Sequence, residues 1–371
     1  MDKPRIIDLN YHYHAEITDP VAAVQKHLPT NLFLHELTGV ADILMVKHIN
    51  HEGAFTSRQI RYHFFRRRNH FSQVPISTHR FIKRQHPDIV VIQGLIYPLQ
   101  VIALRQAVGK NCRIILQHQG ETPYRRKRIF QRIADRYTDA YIFTCYANAE
   151  PWINAGIIKN RDKCFEIAEA STVFSKRDKG SARQKLNLDG GLNFLWVGRL
   201  NANKDPLTAL SGFEKYAEQC PGAKLIMIYG DDQLLGPVRE RIAGSATLRD
   251  QVSLQGRVGH AQLEDWYNAC DYFLAASHRE GGGYALKEAM ACGCVPVVSD
   301  IPPFMKTING GKAGYFYKTG DSDDLYRVLS GLKTEKLPEM SLLAEEEFKS
   351  RLSPAAIAGD FLSLYTALKT K

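Results

Sequence analysis

The chain has 371 residues, of which 44% are hydrophobic and 24% charged, and a formal net charge of +10. That length accommodates two domains with separate cores, and that composition excludes a largely disordered chain. No apolar run approaches the roughly 18 residues that span a bilayer, and seven cysteines without framework spacing exclude a disulfide scaffold and point to a reducing cytoplasm.

The chain opens Met1-Asp2-Lys3-Pro4 and runs straight into strand-like residues, so no signal peptide is expected. Residues 1–180 hold 27 Lys and Arg against 16 Asp and Glu, and 11 of the 13 histidines; the remainder is nearly balanced. An anionic partner of the first half follows as an expectation. Residues 5–10 read as a strand, Tyr11 to Glu16 as a polar and aromatic loop, and Asp19-Pro20 as the cap of a helix over 21–27. Residues 43–48 read as a strand. Residues 61–71 mix cations and aromatics without a helical stripe. Such a segment suits anionic lipid, or nucleic acid through phosphate contacts and stacking, or is a solvated basic face. A strand over 87–94, a helix over 98–108 and a strand over 113–116 follow, delivering Gln117-His118-Gln119-Gly120-Glu121. This alternation predicts a parallel sheet with functional groups at the carboxyl ends of its strands, which makes His118 a candidate. The helix expected over 124–136 starts with Arg125-Arg126-Lys127-Arg128. Cations there oppose the helix dipole, which suggests an anionic membrane or acceptor. A strand over 140–144, a helix over 147–156 and a polar linker over 175–188 close the first half.

The second half opens with a buried strand ending at Gly198. Arg199 offers a planar fork for phosphate oxygens and Lys204 a point charge, and Asp205-Pro206 caps the next helix. A strand over 224–229, the loop stretch Val252 to Val258 and a helix over 262–269 lead to an apolar strand over 272–276. Glu280-Gly281-Gly282-Gly283-Tyr284 then opens a helix that Gly293 caps in the left-handed conformation, before a strand over 295–298. Backbone N–H groups at Gly282, Gly283 and Tyr284 favour an anion. Glu280 and Glu288 frame the turn and can accept hydrogen bonds from sugar hydroxyls. Diphosphate beside two carboxylates suits a sugar nucleotide. Cys292 and Cys294 lack a second cysteine pair, and Asp231-Asp232 lack the spacing of a D-x-D pair, so no metal is expected. A short helix after Pro302-Pro303 and an amphipathic helix over 354–371 complete the chain.

The stretch 279–300 resembles the E-x7-E signature of retaining glycosyltransferases of family four, with Glu280 and Glu288 as its glutamates. Val197-Gly198-Arg199-Leu200 with Lys204 resembles the same family's V-G-R-L…K pattern. The likeness is strong over 190–335 and weak over 1–175. Gly282 stands where the family carries an apolar residue, and no glycine-rich loop follows the first strand, leaving Tyr11, His12 and His14 as substitutes. His118 and Gly120 stand near the family's His-Gly pair, and Ile167 to Thr172 where an Asn-Gly is common. The resemblance implies an α/β protein of the GT-B fold, with two Rossmann-like domains facing each other across a cleft. Residues 1–175 would bind the acceptor, 190–350 the nucleotide sugar, and 354–371 would cross back onto the first domain. It implies sugar transfer with retention from a nucleoside-diphosphate sugar, UDP-linked by family habit, to an acceptor hydroxyl; the basic first half adds the expectation of a glycan or lipid-linked acceptor in bacterial envelope synthesis. Arg199, Lys204, Glu280 and His118 would form the catalytic set. Gly198, Val258, Gly282, Gly283, Tyr284 and Glu288 would bind the nucleotide, with no cofactor and no metal. The expected place is the cytoplasm, peripheral at the inner face of an anionic membrane, with no nucleic-acid partner. The alternatives are a sugar-nucleotide epimerase or a phosphorylase of the same fold, or a non-catalytic scaffold that binds nucleotide sugar or nucleic acid.

Overall fold

The computed structural model describes residues 3–66, 73–188, 190–230 and 232–370. Residues 67–71 of the basic and aromatic stretch, and Asp231, lie outside them. The chain divides into two compact units, Met1–Ser171 with Pro354–Lys371, and Thr172–Ser353.

The first unit is built on one sheet of eight strands. In chain order they are β1 (Arg5–His14), β2 (Asp42–Ile49), β3 (Gly53–Ser57), β4 (Ile60–Phe65), β5 (Ile89–Gln93), β6 (Arg113–Gln117), β7 (Ala140–Phe143) and β8 (Cys164–Glu166). Across the sheet the order is β3-β4-β2-β1-β5-β6-β7-β8, parallel except for the β3–β4 hairpin. Central strands such as Ile89-Val90-Val91-Ile92 are continuous apolar runs, as burial on both faces requires. One face packs on the helices Pro20–Glu36 and Pro354–Lys369, where the rings of Phe33 and Phe361 lie 5.5 Å apart. The other face is covered by Val101, Leu104, Ala134 and Trp152.

Several expectations change in this unit. β1 runs on to His14 instead of ending at Asn10. Leu9 pairs with Val46 and Tyr13 with His48, so β1 carries two extra residues between those pairs and bulges. Tyr11 is thereby turned into the core, where its hydroxyl meets His79 Nε2 at 2.8 Å. The first helix reaches Glu36 because Leu32, Phe33, Leu34 and Leu37 extend its buried side. Residues 61–65 of the basic stretch belong to β4. Tyr62, Phe64 and Phe65 are core side chains of an alternating strand, which overturns a lipid-facing or base-stacking role for them. Among the described residues no helix is long and apolar enough to cross a membrane.

The second unit is an all-parallel sheet of six strands. They are β9 (Asn193–Gly198), β10 (Lys224–Tyr229), β11 (Val252–Gly256), β12 (Tyr272–Ala275), β13 (Val295–Ser299) and β14 (Tyr315–Tyr317), in the order β11-β10-β9-β12-β13-β14. The winding reverses between β9 and β12. Those two strands pair only through Phe194–Tyr272 and Leu195–Phe273 and then part, leaving their carboxyl ends separated. Ligands of open α/β sheets bind at such a reversal. The stretch 175–188 is not a linker. It folds onto this unit as the helix Lys179–Leu186, with Lys179 and Arg183 both paired to buried Asp271 at 2.7 and 2.6 Å. The helix Leu337–Glu347 has no counterpart in the sequence reading.

Candidate functional site

The carboxyl ends of β9 and β12 deliver two loops that hold each other in place. A Cβ on Gly198 would lie 3.1 Å from the Trp196 ring, so glycine lets the first loop leave the sheet close against that indole. Asn201 folds the loop, its side-chain oxygen accepting the Lys204 N–H at 3.0 Å. Asp205, in left-handed backbone at φ 43°, caps the helix Pro206–Gln219 through the Thr208 N–H. The second loop is stitched to the first by three bonds. The His278 N–H donates to the Asn203 carbonyl at 2.8 Å, His278 Nε2 donates to the Asp205 carboxylate at 2.9 Å, and the Asn203 amide donates to the Arg279 carbonyl at 3.0 Å. Lys204 is thereby brought onto Glu280 as an ion pair, Nζ to Oε1. Arg199 is exposed at the mouth of the first loop and has no ion-pair partner among the described residues.

The helix Tyr284–Ala291 starts beside that pair. Gly283 sits in the left-handed region at φ 58° and offers no capping side chain, and no acid stands in the first turn. The helix dipole and its leading N–H groups therefore place positive potential at the sheet's carboxyl edge. Gly282 and Gly283 are buried and Tyr284 is exposed. The far end closes as a Schellman motif. Gly293, at φ 69°, donates to the Met290 carbonyl, and Cys294 donates to that of Ala289. A cavity of about 20 Å³ lies among Trp196, Val197, Lys204, Ala275, Glu280 and Gly283. It holds one water at most, so a ligand here lies over the loops and not inside the unit.

Glu288 is buried one turn further in. Its Oε1 accepts from His260 Nε2 at 2.7 Å and its Oε2 from the Tyr267 hydroxyl at 3.0 Å. His260 lies flat against Phe174, ring centres 4.9 Å apart. The hydrogen bond to Glu288 raises the His260 pKa, with burial acting against it. Burial pushes the Tyr267 hydroxyl well above its ordinary value. Val258 lies half-buried in the loop beyond β11, which Arg257 ties to the end of β10 through the Gly230 carbonyl at 2.6 Å.

The second unit thus gathers Gly198, Arg199, Lys204, Val258, Glu280, Gly282, Gly283, Tyr284 and Glu288 at one edge of one sheet. His118 belongs to the first unit, at the end of β6. It is buried against Phe143 and Trp152, its Nε2 donating to the Glu121 carbonyl at 2.9 Å and its Nδ1 accepting the Gly120 N–H at 3.4 Å. Both ring nitrogens are therefore engaged within its own turn. Of the three residues expected to replace a glycine-rich loop, Tyr11 is in the core. His12 and His14 stay at the end of β1, their rings 4.6 Å apart. Cys292 and Cys294 are buried thiols, and among the described residues no three His, Cys, Asp or Glu side chains are grouped to hold a metal. Sequence reasoning missed His260, Tyr267, Asn203 and His278. Asn203, next to Lys204, and His278, two residues before Glu280, lay close enough to recognised motifs to be noticed; His260 and Tyr267 did not.

Residues 178–346 match the family model of glycosyl transferases group 1. The chain is 31% identical over 191 residues to a mannosylfructose-phosphate synthase of Agrobacterium fabrum, covering 49% of this chain and 42% of that protein. It is 29% identical over 243 residues to a GDP-mannose:cellobiosyl-diphosphopolyprenol alpha-mannosyltransferase of Xanthomonas campestris, covering 63% and 62%. The chain thus spans about half the length of the curated relatives it matches. Among solved structures it resembles sucrose-phosphate synthase from Thermosynechococcus elongatus, with a TM-score of 0.73 at 17% identity and all of both chains covered. It also resembles Anabaena HepE in complex with UDP, with a TM-score of 0.72 at 16% identity, covering 99% of this chain and 100% of that one.

Proposed function

We propose that this chain, whose residues 178–346 match the glycosyl transferases group 1 family model and whose fold is GT-B, transfers a sugar from a nucleoside-diphosphate sugar to an acceptor hydroxyl. The observation that carries this is the Lys204–Glu280 pair beside the Gly283-headed helix, at the reversal between β9 and β12. Arg199, Lys204 and the N–H groups at Gly282 to Tyr284 take the diphosphate. They concentrate positive potential where negative charge grows as the sugar–phosphate bond breaks, and losing one such contact raises the barrier by about 3 kcal/mol. Glu280 orients sugar hydroxyls and keeps Lys204 aimed. Glu288, held by His260 and Tyr267, receives the ribose, and the loop at Val258 flanks the base.

The reaction runs with retention. The anomeric carbon loses its bond to phosphate oxygen and gains one to the acceptor oxygen on the same face, and the acceptor proton passes to the leaving diphosphate. No protein base is required for that transfer. Arg199 and Lys204 supply the charge that a metal would, so the reaction is metal-independent. His118 keeps the turn after β6 in shape, and a contact between it and the sugar requires that turn to open. HepE is described with UDP and the Xanthomonas relative by GDP-mannose; for this chain our reading is UDP. The acceptor is a glycan or lipid-linked glycan of the bacterial envelope, met in the cytoplasm at the inner membrane face.

The test is donor hydrolysis without acceptor, using UDP-, GDP- and ADP-sugars, with released nucleoside diphosphate quantified beside Arg199→Ala and Glu288→Ala. Slow release from one donor, reduced at least about 100-fold in Arg199→Ala and lost with weakened nucleotide binding in Glu288→Ala, is the expected result. No release and no thermal shift with any nucleotide would sink the proposal in favour of a non-catalytic chain.

A further inference from the structure

The segment that follows β6 carries charges and apolar groups that the first unit does not use for folding. It comprises a single 3-10 turn, Arg125–Lys127, and the helix Arg128–Asp135. Residues 122–136 contain Arg125, Arg126, Lys127, Arg128, Arg132 and Arg136 against one acid, Asp135. Asp135 is buried, bonded to the Tyr141 hydroxyl at 3.0 Å and facing Lys163, so residues 122–136 present no exposed acid of their own beside these cations. Among the cations stand Tyr124, Ile129 and Phe130, exposed to 48%, 70% and 45%. The core side of the helix is supplied by Gln131, Ala134 and Asp135 instead.

Local chemistry also works against this helix. No side chain caps its start, no acid stands in its first turn, and the four cations ahead of and at that start oppose its dipole. Arg128 and Arg132 brace it by donating to the carbonyls of Ala155 and Gly156. Arg125 and Arg126 are exposed and point to no such role. Guanidinium groups flanking exposed apolar side chains match a lipid–water interface, with cations among headgroup phosphates and Ile129 and Phe130 at the acyl boundary. Nucleic acid would use the cations and leave Ile129 without a partner.

We propose that residues 124–130 form a docking surface for an anionic lipid bilayer. The surface begins at the carboxyl edge of the first sheet, where ligands of open α/β sheets lie. If the chain is a glycosyltransferase, docking delivers a lipid-linked acceptor to that edge; the lipid binding itself does not depend on that reading.

The experiment is co-sedimentation of the full chain with vesicles of phosphatidylglycerol and phosphatidylcholine, against pure phosphatidylcholine. Binding to the anionic vesicles alone is expected, falling as salt is raised. Arg125→Gln with Arg126→Gln lowers the partition coefficient about 25-fold, at about fivefold for each cation near the surface. Ile129→Ser with Phe130→Ser lowers it as well while leaving the charge intact. Urea unfolding and circular dichroism matching wild type report that each variant remains folded, the first unit included. Equal binding to both vesicle types, or no loss in either double variant, overturns the proposal. Binding of an oligonucleotide that needs Arg125 and Arg126 but ignores Ile129 and Phe130, with no vesicle binding, transfers the surface to nucleic acid.

Discussion

Glu288 is held by a buried hydroxyl on one side and a half-exposed imidazole on the other, and only the imidazole titrates near neutrality. Because Glu288 raises the His260 pKa, the folded state favours the protonated ring. That stabilisation is complete below the ordinary histidine value of about 6.5, and it is lost as pH rises through the raised folded value. Urea unfolding of wild type and His260→Gln should therefore show a stability gap in favour of wild type at about pH 5.5 that closes towards about pH 8.5. His79 and His27, pushed down by burial to about 4 and about 2, act with the opposite sign but are common to both proteins and cancel in the difference. A gap that does not vary with pH would remove His260 from the charge balance of this site. Glu280 and Glu288 were legible because their spacing sits in one continuous motif. His260 was not, because it meets Glu288 across 28 residues and only the packing of two helices brings them together.

At the scale of elements, the second unit depends on close helix contacts that glycine permits. The helices Pro206–Gln219 and Ser322–Ser330 meet at Gly212, where an added Cβ would lie 2.6 Å from Leu325 Cδ2 and 2.9 Å from its Cβ. Gly212→Val should cost about 1–3 kcal/mol through overpacking. Leu325→Ala alone should cost about 2–5 kcal/mol through the cavity it leaves. Combined, the two should cost less than their sum by on the order of 1 kcal/mol, since each relieves the defect of the other. Strict additivity in thermal or urea unfolding would show that the helices separate to accommodate the valine. Gly283 and Gly293 could be assigned to a turn and a cap from sequence because their neighbours announce a strand–helix–strand unit. Gly212 sits inside an ordinary helical pattern, and its role depends on a partner more than a hundred residues away.

At the scale of the whole molecule, the first unit is completed by the far end of the chain. Ile357, Phe361, Leu364 and Leu368 pack into the core that Phe33 and Leu34 share with β1 and β2. Phe361→Ala should destabilise that unit by about 3–5 kcal/mol. Hydrogen exchange on the intact chain is expected to quicken across β1, β2 and the helix Pro20–Glu36, while β9, β10 and β12 keep their protection. Uniform acceleration over both sheets would show that the two units unfold as one body.

What the sequence determined by itself is local: most strands of the second sheet, the helices that flank its glycine turns, and which loop groups carry phosphate-binding chemistry. Doubly buried strands, caps and glycine turns are written in neighbouring residues, so Arg199, Lys204, Glu280 and Glu288 could be singled out directly. Only the tertiary structure decided which of them meet. Lys204 pairs with Glu280 across 76 residues, through bonds from Asn203 and His278 that no spacing announces. It also decided which side chains are lost to the core: a bulge in β1 carries Tyr11 inward, and an alternating strand buries Tyr62, Phe64 and Phe65 of a stretch whose cations made it look like a surface. Burial is settled by what lies on the other side of a side chain, and that neighbour is supplied by the fold.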